Sequence, residues 1–410
     1  MYRSCLRYAA ASQGESSMAE GKRRTARKKR RRSGYYDYNL LAVVIILICF
    51  GLVMLYSASS YEASTATSIG DDMFYFKRQA VFSALAIVVA LIAARLDYHF
   101  YIGLSPYLYV IALVLMAMVR FTPFGINING ARRWLNIGGI QFQPSEVAKI
   151  AVILFMSYTI VKMGRAVGSM RAIAVLMMFG GIQGFGAYFL TDNLSTGIII
   201  FGISVLMIFL AHPRTAPFIL LAGAGAGGVA YLVHVLVTRY QTSGRFRLQR
   251  ILVWRDPEGH LSTGGYQVMQ GLYAIGSGGF FGKGLGNSTQ KLSTIPEAQN
   301  DMIFSIICEE LGLFGAILLL VLFGYLLYRL FVIAQNAPDL YGTLAVSGVF
   351  IHISLQVILN ICVVLNIIPT TGVTLPFVSY GGTSVLFLML EIGVALSVAR
   401  KIEVSEEGEA

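Results

Sequence analysis

Charged side chains are scarce in this 410-residue chain. Asp, Glu, Lys and Arg make up 13% of it, which is about half their share in an ordinary soluble domain. Hydrophobic residues make up 56%, and the mean hydropathy is +0.67. So little charge beside so much apolar content excludes a soluble globular protein and a disordered one. We therefore expect the chain to be embedded in a membrane.

Cysteine is scarce as well, with four residues at Cys5, Cys49, Cys308 and Cys362. They lie in a tail or inside apolar runs, they form no Cys-x-x-Cys pair, and no histidine stands at ligand spacing. The sequence therefore indicates neither a disulfide framework nor a zinc site. We expect buried thiols that pack as small hydrophobic groups.

The net charge of +11 would suggest a nucleic-acid partner in a soluble protein. However, nine basic residues fall between Lys22 and Arg32, in a stretch without an apolar period. We interpret residues 1–38 as a basic, disordered cytoplasmic tail near anionic lipid head groups, and we expect no nucleic-acid partner. Met18 is an alternative start. A signal peptide cleaved near Ser57 is disfavoured, because the preceding apolar run is too long.

Ten apolar stretches are long enough to cross the hydrocarbon core, which takes about 20 residues of helix. The sequence therefore predicts an all-α polytopic membrane protein with ten transmembrane helices in residues 39–400. A large extracellular loop, residues 240–301, is expected between helices 7 and 8. The stretches are residues 40–57, 80–95, 102–118, 147–163, 172–190, 194–211, 216–237, 302–328, 344–368 and 383–399.

The distribution of Lys and Arg predicts the orientation of these helices. The basic tail places the N-terminus in the cytoplasm, and ten crossings return the C-terminus there as a short tail, residues 401–410. Arg132 and Arg133 would then lie outside, against the usual bias. A basic pair on that side is expected if an anionic ligand binds there.

The segment of residues 240–301 is longer than loops usually are unless they are functional or disordered. Its part from Arg245 to Trp254 mixes arginines with aromatic and aliphatic residues, which predicts an amphipathic helix at the membrane interface. These arginines either anchor the helix to lipid phosphates or bind the diphosphate of a lipid-linked substrate. Asp256 follows directly before Pro257 and is either a turn former or a functional carboxylate.

Residues 276–286 contain six glycines and suggest a phosphate-binding loop. The stretch does not match that motif. Ser277 stands where the motif requires Gly, and Gly284 stands where it requires Ser or Thr. A tight turn explains the glycines equally well. Lys283 within this stretch stays a candidate for binding an anion.

Several acids stand at or inside the predicted helices. Asn300 and Asp301 precede the eighth stretch and are expected to cap that helix. Glu309 and Glu310 fall within it, so they should face protein or a wet cavity, because a charge in hydrocarbon is costly.

The fourth predicted helix opens with Gln143-Pro144-Ser145-Glu146. Glu146 and Lys149 are three residues apart, so they share one helical face. Both a structural ion pair and a pair that acts on substrate remain open.

These motifs, taken together and in this order, resemble the SEDS family of bacterial shape, elongation, division and sporulation proteins over essentially residues 38–400. Their details are closer to the division and sporulation members than to the elongation member. Thr191-Asp192-Asn193 departs from the Gln-Pro-Asp that the family often has. The matching motifs are Gly130-Ala131-Arg132-Arg133-Trp134, Gln143-Pro144-Ser145-Glu146, Trp254-Arg255-Asp256-Pro257, Gly265-Tyr266-Gln267, residues 275–286, residues 296–312 and Pro376-Phe377-Val378-Ser379-Tyr380-Gly381-Gly382-Thr383-Ser384.

The resemblance implies a glycosyltransferase that polymerises lipid II into glycan strands on the outer face of the bacterial cytoplasmic membrane during division. It implies partners as well, namely a class B penicillin-binding protein and other membrane proteins of the division complex. The family's essential acid lies in the Asp-Pro motif, so Asp256 is the expected catalytic base. Alternatives from other classes are a lipid II flippase, a proton-coupled transporter and a non-enzymatic division scaffold.

The implied chemistry needs one base, because a diphosphate leaves as a stable anion and requires no general acid. Cations are expected to meet the departing diphosphate. A divalent cation, Mg or Mn, that bridges its oxygens is a further expectation, although no sequence feature requires it. The candidates for binding substrate are Arg132, Arg133, Glu146, Lys149, Arg245, Lys283 and Ser379.

Overall fold

The structure is a computed structural model and is mostly helical. It describes residues 36–65, 71–128, 130–216, 246–292 and 298–402, together with residue 295 and scattered positions between 218 and 235. The described helices are α1 Tyr38–Thr65, α2 Phe74–Arg95, α3 Phe100–Phe121, α4 Pro144–Met163, α5 Met170–Leu190, α6 Leu194–Ala211, α7 Phe246–Arg255, α8 Gly265–Gly278, α9 Ile303–Asn336, α10 Leu340–Val364 and α11 Ser384–Ala399.

Eight of these helices, α1 to α6 with α9 and α10, are long and apolar enough to cross a membrane. Each coincides with one of the predicted stretches. The tenth stretch corresponds to α11, which at 16 residues is short for a full crossing. The seventh, residues 216–237, falls largely outside the described residues. The chain is thus a multi-pass membrane protein.

The segment between α3 and α4 contains a three-stranded antiparallel sheet in the order β1-β2-β3. The strands are β1 Gly125–Ile128, β2 Ala131–Ile137 and β3 Ile140–Phe142. Gly138 and Gly139, both with positive φ, form the turn between β2 and β3. The prediction of an all-α chain is therefore wrong here, because strands of three to seven residues show too little alternation to be recognised beside long apolar helices.

Close helix packing depends on small residues, as expected in a membrane where apolar surface alone does not drive association. Gly184 on α5 lies against Gly197 on α6, and a Cβ on Gly197 would lie 2.8 Å from the Gly184 carbonyl oxygen. Helices α4 and α10 are the most buried of the eight spans. They form the centre of the bundle, on which the candidate site is built.

The glycine-rich stretch docks on α9 through its backbone. The amide of Lys283 donates to the Glu309 carbonyl at 2.9 Å, and the amide of Leu313 donates to the Gly279 carbonyl at 3.0 Å. Gly282 has a φ of +79°, and a Cβ there would lie 2.2 Å from the Glu310 carbonyl oxygen. This close approach supports the tight-turn interpretation of the glycines.

We therefore expect Gly282→Ala to destabilise the protein by about 2 kcal/mol or more, because the new Cβ meets backbone at a strained φ. Thermal unfolding of the purified protein in detergent measures this. Gly276→Ala is the matched control, since a Cβ at this helical position meets nothing within 4 Å. Equal melting temperatures for the two variants would contradict the backbone docking.

Candidate active site

The chain between α10 and α11 runs through residues 369–382 without a helix; we call it the connecting segment. Its backbone carbonyls accept hydrogen bonds from side chains of several distant elements. Such bonds are needed wherever non-helical backbone lies inside a membrane protein. The pairs are Arg250 to Thr370 at 3.2 Å, Ser195 to Thr371, Asn360 to Val373 at 2.7 Å and Gln356 to Thr374 at 3.1 Å.

The second half of the connecting segment is held by its own turn and by α2. The hydroxyl of Ser379, a predicted substrate-binding residue, is buried and accepts from the amide of Leu375 at 2.8 Å. The amides of Gly381 and Gly382 donate to Gln79 of α2 at 3.4 and 3.0 Å. Ser379 is therefore placed in the site as a residue that shapes the backbone.

Glu146 and Lys149 form the ion pair that their spacing indicated. Lys149 Nζ lies 2.8 Å from Glu146 Oε1, and the two side chains are 3% and 10% exposed, respectively. Lys149 also lies 3.4 Å from Gln356, whose amide donates to the connecting segment. The pair lies in the first two turns of α4 and is connected to that segment through Gln356.

The two arginines of β2, Arg132 and Arg133, differ in their surroundings. Arg132 is exposed. Arg133 donates to the backbone oxygen of Asp192 at 3.4 Å, and Arg120 lies 3.6 Å from the Asp192 carboxylate. Asp192 has a φ of +47° in the turn before α6, three residues from Ser195. Arg133 is therefore linked to the connecting segment through this turn.

The predicted amphipathic helix is present as α7, although Arg245 lies outside the described residues. Trp254 at its end donates to the Asn366 carbonyl at 3.0 Å, just before the connecting segment. Asp256 follows in an exposed position, and its carboxylate accepts from the Gly259 amide at 3.0 Å. The turn-forming role of Asp256 is thus present in the structure.

The expectation that Asn300 and Asp301 cap a helix is wrong, because α9 begins at Ile303 with Met302 in the cap position. Asp301 is instead half-buried beside the connecting segment. Its carbonyl accepts from Asn360 at 2.9 Å, and its carboxylate lies 3.9 Å from where a Cβ on Gly372 would be. The sequence signal for Asp301 is an acid directly before a membrane span, a position that equally fits a helix cap.

Glu309 and Glu310 are fully buried, and both face protein as expected. Lys283, predicted to bind an anion, lies 2.6 Å from Glu309, while Lys291 lies 2.8 Å from Glu310. The ammonium group of Lys283 is therefore already paired with a carboxylate of the protein.

The arrangement combines a half-buried carboxylate, Asp301, with cationic groups around one length of irregular backbone. Arg250 donates to that backbone, Lys149 is connected to it through Gln356, and Arg133 donates to the turn before α6. Such a set is able to accept a proton and to hold an anion. Within the described ranges, no three His, Cys, Asp or Glu side chains are grouped to hold a metal ion.

Truncation of Lys149 should leave Glu146 buried without its partner, which costs roughly 3–5 kcal/mol for a buried pair. We expect Lys149→Ala to lower the melting temperature in detergent by several degrees. The double variant Glu146→Gln/Lys149→Met removes both charges and should recover part of that loss. A Lys149→Ala protein with the wild-type melting temperature would show that the pair has no structural role.

Known proteins resemble this chain over nearly its whole length. The family FtsW/RodA/SpoVE, described as cell cycle protein, matches residues 37–403. Stage V sporulation protein E of Bacillus subtilis is 37% identical and aligns over 89% of this chain and 97% of its own length. A probable peptidoglycan glycosyltransferase FtsW of Trichlorobacter lovleyi is 34% identical over 90% of this chain and 94% of its own.

Solved structures show the same fold. A chain of a peptidoglycan synthase complex that coordinates polymerization and crosslinking superposes with a TM-score of 0.71 at 29% identity, over 89% of this chain and 98% of that one. The rod shape determining protein RodA of Thermus thermophilus superposes with a TM-score of 0.63 at 26% identity, over 90% and 98%. The chain therefore belongs to the FtsW/RodA/SpoVE family of cell cycle proteins.

Proposed function

We propose that this chain is a peptidoglycan glycosyltransferase that polymerises lipid II into glycan strands during cell division. The observation that carries the proposal is the position of Asp301 and Arg250 beside the connecting segment of a multi-pass membrane protein. The relatives named as glycosyltransferases cover nearly the whole chain, which supports the same activity.

The reaction joins the hydroxyl oxygen of an acceptor sugar to the anomeric carbon of a donor as the bond to the diphosphate breaks. A carboxylate accepts the hydroxyl proton, and cations stabilise the negative charge on the departing diphosphate. Arg250 and Arg133 lie beside the connecting segment for that second task, with Arg132 more exposed on the same strand as Arg133. Lys149 and Lys283 are less suited, because each is already paired with a carboxylate, Glu146 and Glu309 respectively.

Two carboxylates are candidates for the base. Asp256 matches the family's Asp-Pro motif, but it is exposed, and one of its carboxylate oxygens accepts a hydrogen bond from the Gly259 amide. Asp301 is half-buried beside the connecting segment, where a bound substrate would shield it from water. The placement favours Asp301.

We expect Asp301→Asn to lower lipid II polymerisation by at least about 10²-fold, the lower bound for general-base help. Asp256→Asn keeps a side-chain oxygen for the Gly259 amide and should lose much less, and Glu258→Gln is the control for a change of charge in the same turn. Purified variants in detergent, with gel analysis of the polymer, measure this. The reverse order of losses would assign the base to Asp256, and wild-type activity in all three would refute a carboxylate base.

A groove near the N-terminal end of α2 fits the lipid part of such a substrate. Its volume is about 530 Å³, and its apolar wall is formed by Phe74, Val81 and Phe82. Arg78 lies beside that wall, as does Lys77, which is paired with Asp71 at 2.9 Å. Arg78 also contacts Tyr380 of the connecting segment. We propose that the polyprenyl chain lies here with its diphosphate turned toward that segment.

A divalent cation remains a proposal that rests on the diphosphate itself. Because the described part of the chain holds no cluster of three suitable side chains, these residues do not by themselves fit a resident metal. A class B penicillin-binding protein, with other division proteins, is the proposed partner. The peptidoglycan synthase complex containing a similar chain supports it.

The proposed topology has ten crossings of the bacterial cytoplasmic membrane, with both termini in the cytoplasm and residues 240–301 outside. The two ends of the membrane domain are proposed to lie on the same side: burial raises the pKa of Tyr36, before α1, and the charges of Arg400, after α11, and of Arg95 oppose that rise. Adjacent ends require an even number of crossings. The seventh apolar stretch of the sequence, residues 216–237, is proposed as one of these crossings on its composition alone, since it falls largely outside the described residues.

Single cysteines at Ser262 and Asn287 should then react with a membrane-impermeant thiol reagent in intact protoplasts, whereas one at Ser33 should react only after lysis. All three go into a background without the native cysteines. Labelling of the Ser33 position alone in intact cells would reverse the proposed orientation and place the site on the wrong face for lipid-linked polymer.

A further inference from the structure

Ser57, near the C-terminal end of α1, connects this helix to the outer loop. Its hydroxyl oxygen lies 2.7 Å from both carboxylate oxygens of Glu310 on α9 and 3.0 Å from Lys291 Nζ. The hydroxyl thus donates to the carboxylate while it accepts from the ammonium group. All three side chains are buried.

The neighbouring glutamate holds the same stretch of loop by a second set of bonds. Glu309 accepts from Lys283 at 2.6 Å, from the amide and hydroxyl of Thr289 at 3.1 and 2.9 Å, and from the hydroxyl of Ser288. Lys291 also donates to the Gly286 carbonyl at 2.7 Å. Residues 283–291 are therefore fastened to α9 by Glu309 and to α1 and α9 together by Glu310.

Helix α1 also contacts the connecting segment. A Cβ on Gly51 would lie 2.7 Å from both the Phe377 carbonyl oxygen and the Val378 Cα. Gly51 and Ser57 are six residues apart, about 9 Å along the helix. One rigid helix thus contacts both the connecting segment and the loop that leads, ten residues after Lys291, to Asp301.

We propose that Ser57 is a positioning residue: by joining Lys291 and Glu310 to α1, its hydroxyl fixes where Asp301 stands relative to the connecting segment. Ser57 does not touch substrate. This proposal rests on the proposed function. The hydroxyl is expected to set the distance between Asp301 and the cations of the site, which matters only if these groups act on one substrate. If Ser57 serves only to satisfy buried polar groups, its loss changes stability and leaves the kinetics unchanged.

The chain offers a matched control two residues away. Ser59 is buried on the same helix, but its hydroxyl donates to the Leu55 carbonyl of α1 itself at 2.7 Å. Ser57→Ala and Ser59→Ala therefore each remove one hydroxyl from α1. Only Ser57→Ala breaks a hydrogen bond to the loop, the bond to Lys291. Ser57→Thr keeps a hydroxyl and tests rescue.

We expect Ser57→Ala to lower kcat for lipid II polymerisation about tenfold, because a buried carboxylate loses one hydrogen bond and the loop shifts. KM should stay within about twofold, since the cations that bind the diphosphate are unchanged. Ser59→Ala should match the wild type, and Ser57→Thr should recover most of the rate. Hydrogen exchange of the amides of residues 283–291 should accelerate in Ser57→Ala and not in Ser59→Ala.

Equal kcat for Ser57→Ala and Ser59→Ala would overturn the proposal, whether or not exchange differs. A raised KM at unchanged kcat would overturn it too, because it would assign Ser57 to binding. Failure of the proposed function is recognised separately: wild-type protein would then make no polymer, while the exchange comparison would still report whether Ser57 holds the loop. Slower exchange in Ser57→Ala than in Ser59→Ala would refute the anchor itself.

Discussion

The site depends on one requirement, that backbone carbonyls outside a helix find hydrogen-bond donors inside a membrane protein. Residues 369–382 leave a row of such carbonyls between α10 and α11. Side chains of α6, α7 and α10 donate hydrogen bonds to these carbonyls. These bonds fix the positions of the three helices relative to one another. Two of these donors also contact charged residues of the site: Gln356 contacts Lys149, and Asn360 donates to the Asp301 carbonyl.

This requirement explains the polar face of α10, an otherwise apolar helix. His352, Gln356 and Asn360 are spaced four residues apart, so they lie on one face. The two nearer the connecting segment bind its carbonyls, while His352 lies 2.7 Å from Glu391 of α11 and ties the two helices that the segment joins. Their polarity would be costly in hydrocarbon, but here each side chain has a partner.

The sequence predicted well what depends on hydrophobic length and little of what depends on contacts between distant residues. Eight spans and the amphipathic α7 follow from apolar runs, and the Glu146–Lys149 pair follows from helical spacing. The sheet was missed because its strands are short. Asp301 was assigned to a cap because no local pattern shows that its neighbour is Gly372, 71 positions along the chain. Lys283 was assigned to an anion because its partner, Glu309, lies on another element.

The adjacent glutamates of α9 limit how this helix is able to change in length. Successive residues of a helix point about 100° apart, so Glu309 is directed to Lys283 and Glu310 to Lys291 and Ser57 only in one rotational setting. One residue inserted or deleted between Ile303 and Glu309 would turn both carboxylates away from their lysines. This network does not restrict the part of α9 after the kink at Gly312. We therefore expect homologues to vary in helix length after Gly312 and to keep the length of the first turns of α9 constant.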